Sequence, residues 1–129
     1  MKSLSLSVLP DRFGICRLPR NEPIPKFPAE ASFWSITFTA DGFSIVLPEA
    51  NIPEHWEAET GWRCLKILGR LNFELTGILA SIAVPLANAG VSIFAVSSYD
   101  TDYILIRENY LEKARQTLEA SGHVVGGCI

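Results

Sequence analysis

Residues Leu75–Ser98 read LTGILASIAVPLANAGVSIFAVSS, and this stretch decides the fold. Leu75, Ile78, Leu79, Ile82 and Leu86 recur at intervals of three and four, which puts them on one face of a helix. Ala89–Gly90 stops that helix, because glycine takes the left-handed cap conformation without steric cost. Val91–Val96 is short, β-branched and aromatic, so it reads as a strand. Pro85 lies inside the helix and removes the amide that would bond the Ser81 carbonyl; the sequence predicts a kink there.

Outward from this core the periodicity continues. Arg63–Leu68 is a strand and Gly69–Glu74 a loop into the helix. After Val91–Ser97 come the turn Ser98–Thr101 and the strand Asp102–Arg107. Asn109, with Glu112 three residues on, has the pattern of a capping box. Leu111, Ala114 and Leu118 form the buried stripe of a second helix that Gly122 ends, and Val124–Val125 makes a last short strand. The order is βαββαβ, an α+β arrangement of the ferredoxin-like, split βαβ kind. Its strands have two apolar faces: Val91, Ile93 and Ala95 against Phe94 and Val96, and Ile104 and Ile106 against Tyr103 and Leu105. Helices cover one face only, so the other calls for a second surface, from the first half of the chain or from another subunit.

The first half is rich in β signals. Leu4–Leu9 and Phe13–Leu18 read as two strands around Pro10–Asp11. Pro19–Pro28 carries four prolines and can be neither a regular helix nor a central strand. Phe33–Thr39 and Phe43–Leu47 read as a hairpin about the Asp41–Gly42 turn signal. Ile52–Glu59 reads as a short helix with an acidic face. The expected division is therefore 1–60, a β-rich half, and 61–129, the βαββαβ unit.

The chain has 129 residues, enough for one core or two very small fused ones. The net charge of −3 and the lack of a basic run exclude the usual nucleic-acid footprint. No apolar run reaches the ~20 residues that span a bilayer. MKSLSLSVLP alternates serine with leucine instead of forming an apolar block, so it reads as a strand and not as a signal peptide, and the expected location is the cytoplasm. Cys16, Cys64 and Cys128 lack C-x-x-C spacing, and His55 and His123 lack metal-ligand spacing, so no metal and no cofactor are expected. Cys64 and His123 could form a nucleophile pair only by meeting in space; a mid-strand cysteine is more often simply packed.

The run from Leu75 to His123 resembles the ACT domain, the amino-acid-sensing regulatory module of metabolic enzymes. Gly77 at the helix start, Ala89–Gly90 before the second strand, and the pattern Leu111…Leu118…Gly122 carry the likeness. The run YDTDYILI (99–106) is similar to that of the stand-alone ACT-tandem proteins, related to aspartokinase regulatory regions and to cytosolic arginine sensors. The resemblance implies that the first half is a degenerate ACT-like half in which the proline-rich stretch replaces the first helix. The alternative is an unrelated β-rich extension on one ACT unit.

Two stretches are candidate ligand contacts. Amides around Thr76, Gly77, Ile78 and Leu79 lie at a helix N-terminus and suit a carboxylate. Ser97, Ser98, Tyr99, Asp100, Thr101 and Asp102 gather two carboxylates and several hydroxyls, and one carboxylate could pair with an ammonium. By its residues alone this turn is an ordinary polar β-turn in which Asp100 and Thr101 bond local backbone. The resemblance to ACT domains implies recognition of a zwitterionic amino acid between the two stretches.

No glycine-rich phosphate loop, HExxH or GxSxG occurs, so no catalytic residues are assigned. The leading expectation is a non-enzymatic amino-acid-binding regulatory protein that forms a homo-oligomer, most simply a dimer, and acts on a regulated enzyme or signalling protein. The alternatives are a ligand-free ACT scaffold used for dimerisation, or a small enzyme on the same fold.

Overall fold

The computed structural model describes residues 3–26, 29–69 and 76–128. Among the described residues seven strands and two α-helices follow in the order β1 (Ser5–Leu18), β2 (Ser35–Thr39), β3 (Gly42–Pro48), β4 (Ala58–Ile67), α1 (Ile78–Asn88), β5 (Phe94–Ser97), β6 (Asp102–Arg107), α2 (Leu111–Ala120) and β7 (Val124–Gly127). The chain divides into two compact units, Asp11–Trp62 on the one hand and Met1–Pro10 with Arg63–Ile129 on the other. The sequence placed the first ten residues with the N-terminal half; they belong to the unit that carries the helices.

That unit has the strand order β7–β1–β4–β6–β5. From β4 onward it is βαββαβ, the ferredoxin-like arrangement expected. The first part of β1 lies between β4 and β7 and pairs with β7 in parallel, Ser5 opposite Val124 and Val8 opposite Gly127. Leu4, Leu6 and Val8 thereby join Leu65, Ile67, Ile104, Ile106 and Val125 in one core with Ile82 and Leu86 of α1 and Ala114 and Leu118 of α2. Both helices thus cover the same sheet face. On the other face Cys64 and Leu105 are also fully buried within the single chain, so at these positions no second subunit is required.

The sequence boundaries hold in part. α1 ends as expected: Gly90 adopts φ +78°, and the Val91 amide bonds the Leu86 carbonyl at 2.9 Å, a left-handed cap of the Schellman type. The His123 amide bonds the Leu118 carbonyl in the same way after α2. Leu79, assigned to the buried stripe, is exposed, and Ser81 takes the inward place beside Ile82 and Leu86. Leu75 lies outside the described residues. The capping box at Asn109 is not formed: Glu108–Tyr110 is a 3₁₀ turn that winds straight into α2, Tyr110 holds the cap position, and no side chain caps it. Glu112 instead binds Arg115, which also reaches Glu119.

In the unit Asp11–Trp62, β1 pairs with β3 from Phe13–Pro48 to Leu18–Phe43, and β3 pairs with β2 in a hairpin closed at Thr39–Gly42. The break expected at Pro10–Asp11 is absent, and β1 runs through it. Pro10 sits between Val8, where pairing with β7 ends, and Phe13, where pairing with β3 begins. The helix expected over Ile52–Glu59 is also absent. Glu49–Asn51 forms one 3₁₀ turn, the Trp56 amide closes a turn on the Pro53 carbonyl, and β4 has begun by Ala58. Glu22 fastens the proline-rich stretch by accepting from the buried Trp56 indole at 3.1 Å. Among its described residues this unit has no α-helix.

Candidate functional site

Gly77 caps α1 with φ +77° and ψ +3°, a left-handed conformation that glycine adopts freely. Its carbonyl accepts the Ser81 amide at 2.9 Å, the first bond of the helix. Among the described residues no side chain caps this end. Thr76, Gly77 and Leu79 are exposed and Ile78 is half-buried. A Cβ added to Gly77 would meet nothing within 4 Å. The helix start thus presents amides that no described side chain caps, a setting suited to an anion.

The second stretch is the β5–β6 turn. Ser97 Oγ donates to Asp102 Oδ1 at 2.6 Å, clasping the two strand ends. Ser98 Oγ donates to the Thr101 carbonyl at 2.9 Å, and the Ser98 amide bonds the same carbonyl. Thr101 is buried, and its hydroxyl donates to the Ile67 carbonyl at 2.7 Å. The hydroxyls of Ser97, Ser98 and Thr101 are thus used within the fold, and that of Thr101 reaches β4 instead of the local backbone that the β-turn reading gave it. Thr101 latches the turn to the end of β4, and from there the chain leads toward Gly77. Tyr99 and Asp100 stand exposed at the tip. The structure thus groups Ser97 with Asp102, and Ser98 and Thr101 with Ile67, while Thr76–Leu79 form a separate group at the α1 end.

The sequence passed over Tyr103. It is half-buried on β6, opposite Val96. Burial is the first cause that pushes its phenol upward, and the nearby Asp100 carboxylate adds to it. The Asp100 charge therefore acts toward Tyr103.

The sequence also left His123 isolated, yet it is buried with both ring nitrogens engaged. The Leu4 amide donates to Nδ1 at 3.1 Å, and Nε2 lies 3.1 Å from the Ser81 carbonyl. An amide can only donate and a carbonyl only accept, so the ring is the neutral Nε2–H tautomer. Pro85 is the signal that could have found it. Proline at position 85 deprives the carbonyl four residues earlier, that of Ser81, of its helical donor, and a buried carbonyl needs another. The Cys64–His123 nucleophile pair is excluded: the ring is occupied, and burial pushes the Cys64 thiol up to about 12, far from a reactive thiolate. Among the described residues no three His, Cys, Asp or Glu side chains gather as a metal site. No helix among them is long and apolar enough to cross a membrane.

A βαββαβ sheet covered by two helices on one face defines a ferredoxin-like module. Residues 57–120 match the ACT domain family model, so the chain carries an ACT domain. Residues 11–55 match a separate N-terminal-domain model. The chain is similar to the crystal structure of protein Atu0741 from Agobacterium tumefaciens, with 38% identity and TM-score 0.90 over 98% of this chain and 95% of that one. It is 29% identical over 101 residues to the human cytosolic arginine sensor for mTORC1 subunit 1; the match takes in 70% of this chain but only 31% of that relative's length. The regulatory subunit of aspartate kinase from Thermus thermophilus shares the fold, at TM-score 0.64 and 13% identity, over 93% of this chain and 99% of that one.

Proposed function

We propose that this chain is a non-enzymatic regulatory protein of the cytoplasm that senses a free amino acid through its ACT unit. The observation that carries the reading is the glycine-opened N-terminus of α1, which no described side chain caps, in the same unit as an acidic turn latched to β4. The ligand carboxylate takes the amides of Gly77–Leu79, and its ammonium meets Asp100. Asp102 is the weaker choice because it opens β6, whereas Asp100 stands exposed at the tip of the turn. The relative named as an arginine sensor makes L-arginine the first ligand to test. A homodimer and a regulated partner enzyme or signalling protein belong to the same proposal; sedimentation at micromolar concentration that finds only monomer would remove the dimer.

The test is a thermal-shift screen of the common amino acids followed by calorimetry. A charge-assisted bond is worth about 1.5–3 kcal/mol, so Asp100→Ala should weaken binding about ten- to a hundredfold, with Asp102→Ala weaker in effect. The ligand-free scaffold is the second reading. It draws on the fact that Ser97, Ser98 and Thr101 spend their hydroxyls inside the turn. No stabilisation by any amino acid would favour it.

A further inference from the structure

We propose that His123 is a positioning residue for the amino-acid site: it holds the first turn of α1 in register with the start of β1. The inference rests on the site proposed above. Ser81 is the middle of the connection. Its amide binds the Gly77 carbonyl and its hydroxyl donates to the Ile78 carbonyl at 2.7 Å, so one residue ties down the turn that presents the ligand amides. Its own carbonyl would ordinarily be held by the amide four residues on, which Pro85 lacks. The His123 ring supplies that donor and, through Nδ1, takes the Leu4 amide in return.

The imidazole is therefore a rigid spacer between two backbone groups on elements far apart in sequence. Packing alone does not require this arrangement, since an apolar side chain would fill the same volume. What the ring adds is direction: an Nε2–H donor toward α1 and an Nδ1 acceptor toward β1, each satisfying a buried group that would otherwise be costly to leave unpaired. A carboxylate arriving at Gly77–Leu79 pulls on the same turn that His123 holds from behind. Ligand binding and the His123 hydrogen bonds are then coupled, and the coupling acts in both directions.

The experiment measures L-arginine and the other common amino acids against the parent protein and four variants, with folding checked by circular dichroism. His123→Leu keeps the volume and loses both bonds; it should weaken the parent's best ligand at least tenfold. His123→Gln retains a donor and an acceptor and should recover most of that loss. Pro85→Ala returns an amide to the Ser81 carbonyl, so His123→Leu in that background should cost less than it does alone. Nitrogen NMR of the parent gives a readout that needs no variant: the His123 ring should show the Nε2–H tautomer, and its signals should shift on ligand saturation. Folded His123→Leu binding as tightly as the parent would overturn this inference alone, as would ring signals that stay fixed at saturation. A parent that binds no amino acid overturns it together with the site it rests on.

Discussion

Gly77 and Thr101 show how single residues divide the work at this end of the unit. Gly77 has open space around it, so the penalty for a side chain there is conformational, not steric. A left-handed backbone costs most residues about 1–2 kcal/mol, and asparagine less. The expected stability order is therefore Gly77 above Gly77→Asn, then Gly77→Ala, then Gly77→Val, read from urea midpoints. Valine should also abolish amino-acid binding, because relieving the strain reorients the amides; a valine variant that binds like the parent would place the ligand elsewhere. Thr101 acts through one hydroxyl. Thr101→Val keeps the shape but leaves the Ile67 carbonyl without its 2.7 Å donor, a loss of about 1–3 kcal/mol in urea denaturation. A change below a few tenths would mean that water replaces the hydroxyl at no cost.

At the scale of elements, local periodicity was the legible part. The α1 stop at Gly90, the strand Asp102–Arg107 and the stripe Leu111, Ala114 and Leu118 are set within a turn or two of chain, and all appear as read. Where sequence reading missed, the cause lies in competing local options or in distant partners. Asn109 had the spacing of a cap, but the 3₁₀ turn at Glu108–Tyr110 carries the chain into α2 without one. Glu112 then serves Arg115 in the next turn. Arg115→Ala should cost little, and any loss should fade in molar salt because the cluster is exposed; a loss insensitive to salt would assign Arg115 a packing role. Pro85, where a kink is expected, leaves the Ser81 carbonyl without its helical donor. The orphaned carbonyl was foreseeable; that a histidine 42 positions away would answer it was not.

At the scale of the molecule, the misplaced first strand and the buried thiols have one origin, since both depend on pairings between distant segments. Ser5 meets Val124 and Leu4 meets His123 across nearly the whole chain, and no window of sequence shows that. The candidate site was legible as two polar stretches, but which hydroxyls were already engaged was not. Burial of Cys16 and Cys64, one in each unit, leads to a prediction about the whole fold. Burial raises their thiols from 9.0 to about 11 and about 12. Both then stay protonated in the native protein at a pH where the unfolded chain ionises. The unfolded state releases the proton first, so alkali favours unfolding. The thiol contribution is full below pH 9 and is lost as pH rises through the folded values. Tyr103, raised in the same direction by burial, adds to the slope at higher pH. Urea midpoints should therefore be flat to about pH 8.5 and fall beyond it, each released thiol proton steepening the decline by at most about 1.4 kcal/mol per pH unit. Cys16→Ala with Cys64→Ala should lower stability at neutral pH by leaving cavities, yet flatten the alkaline slope. The slope is the decisive reading. Equal slopes in parent and double variant between pH 9 and pH 10.5 would mean that the thiols ionise in the native fold as freely as in the unfolded chain.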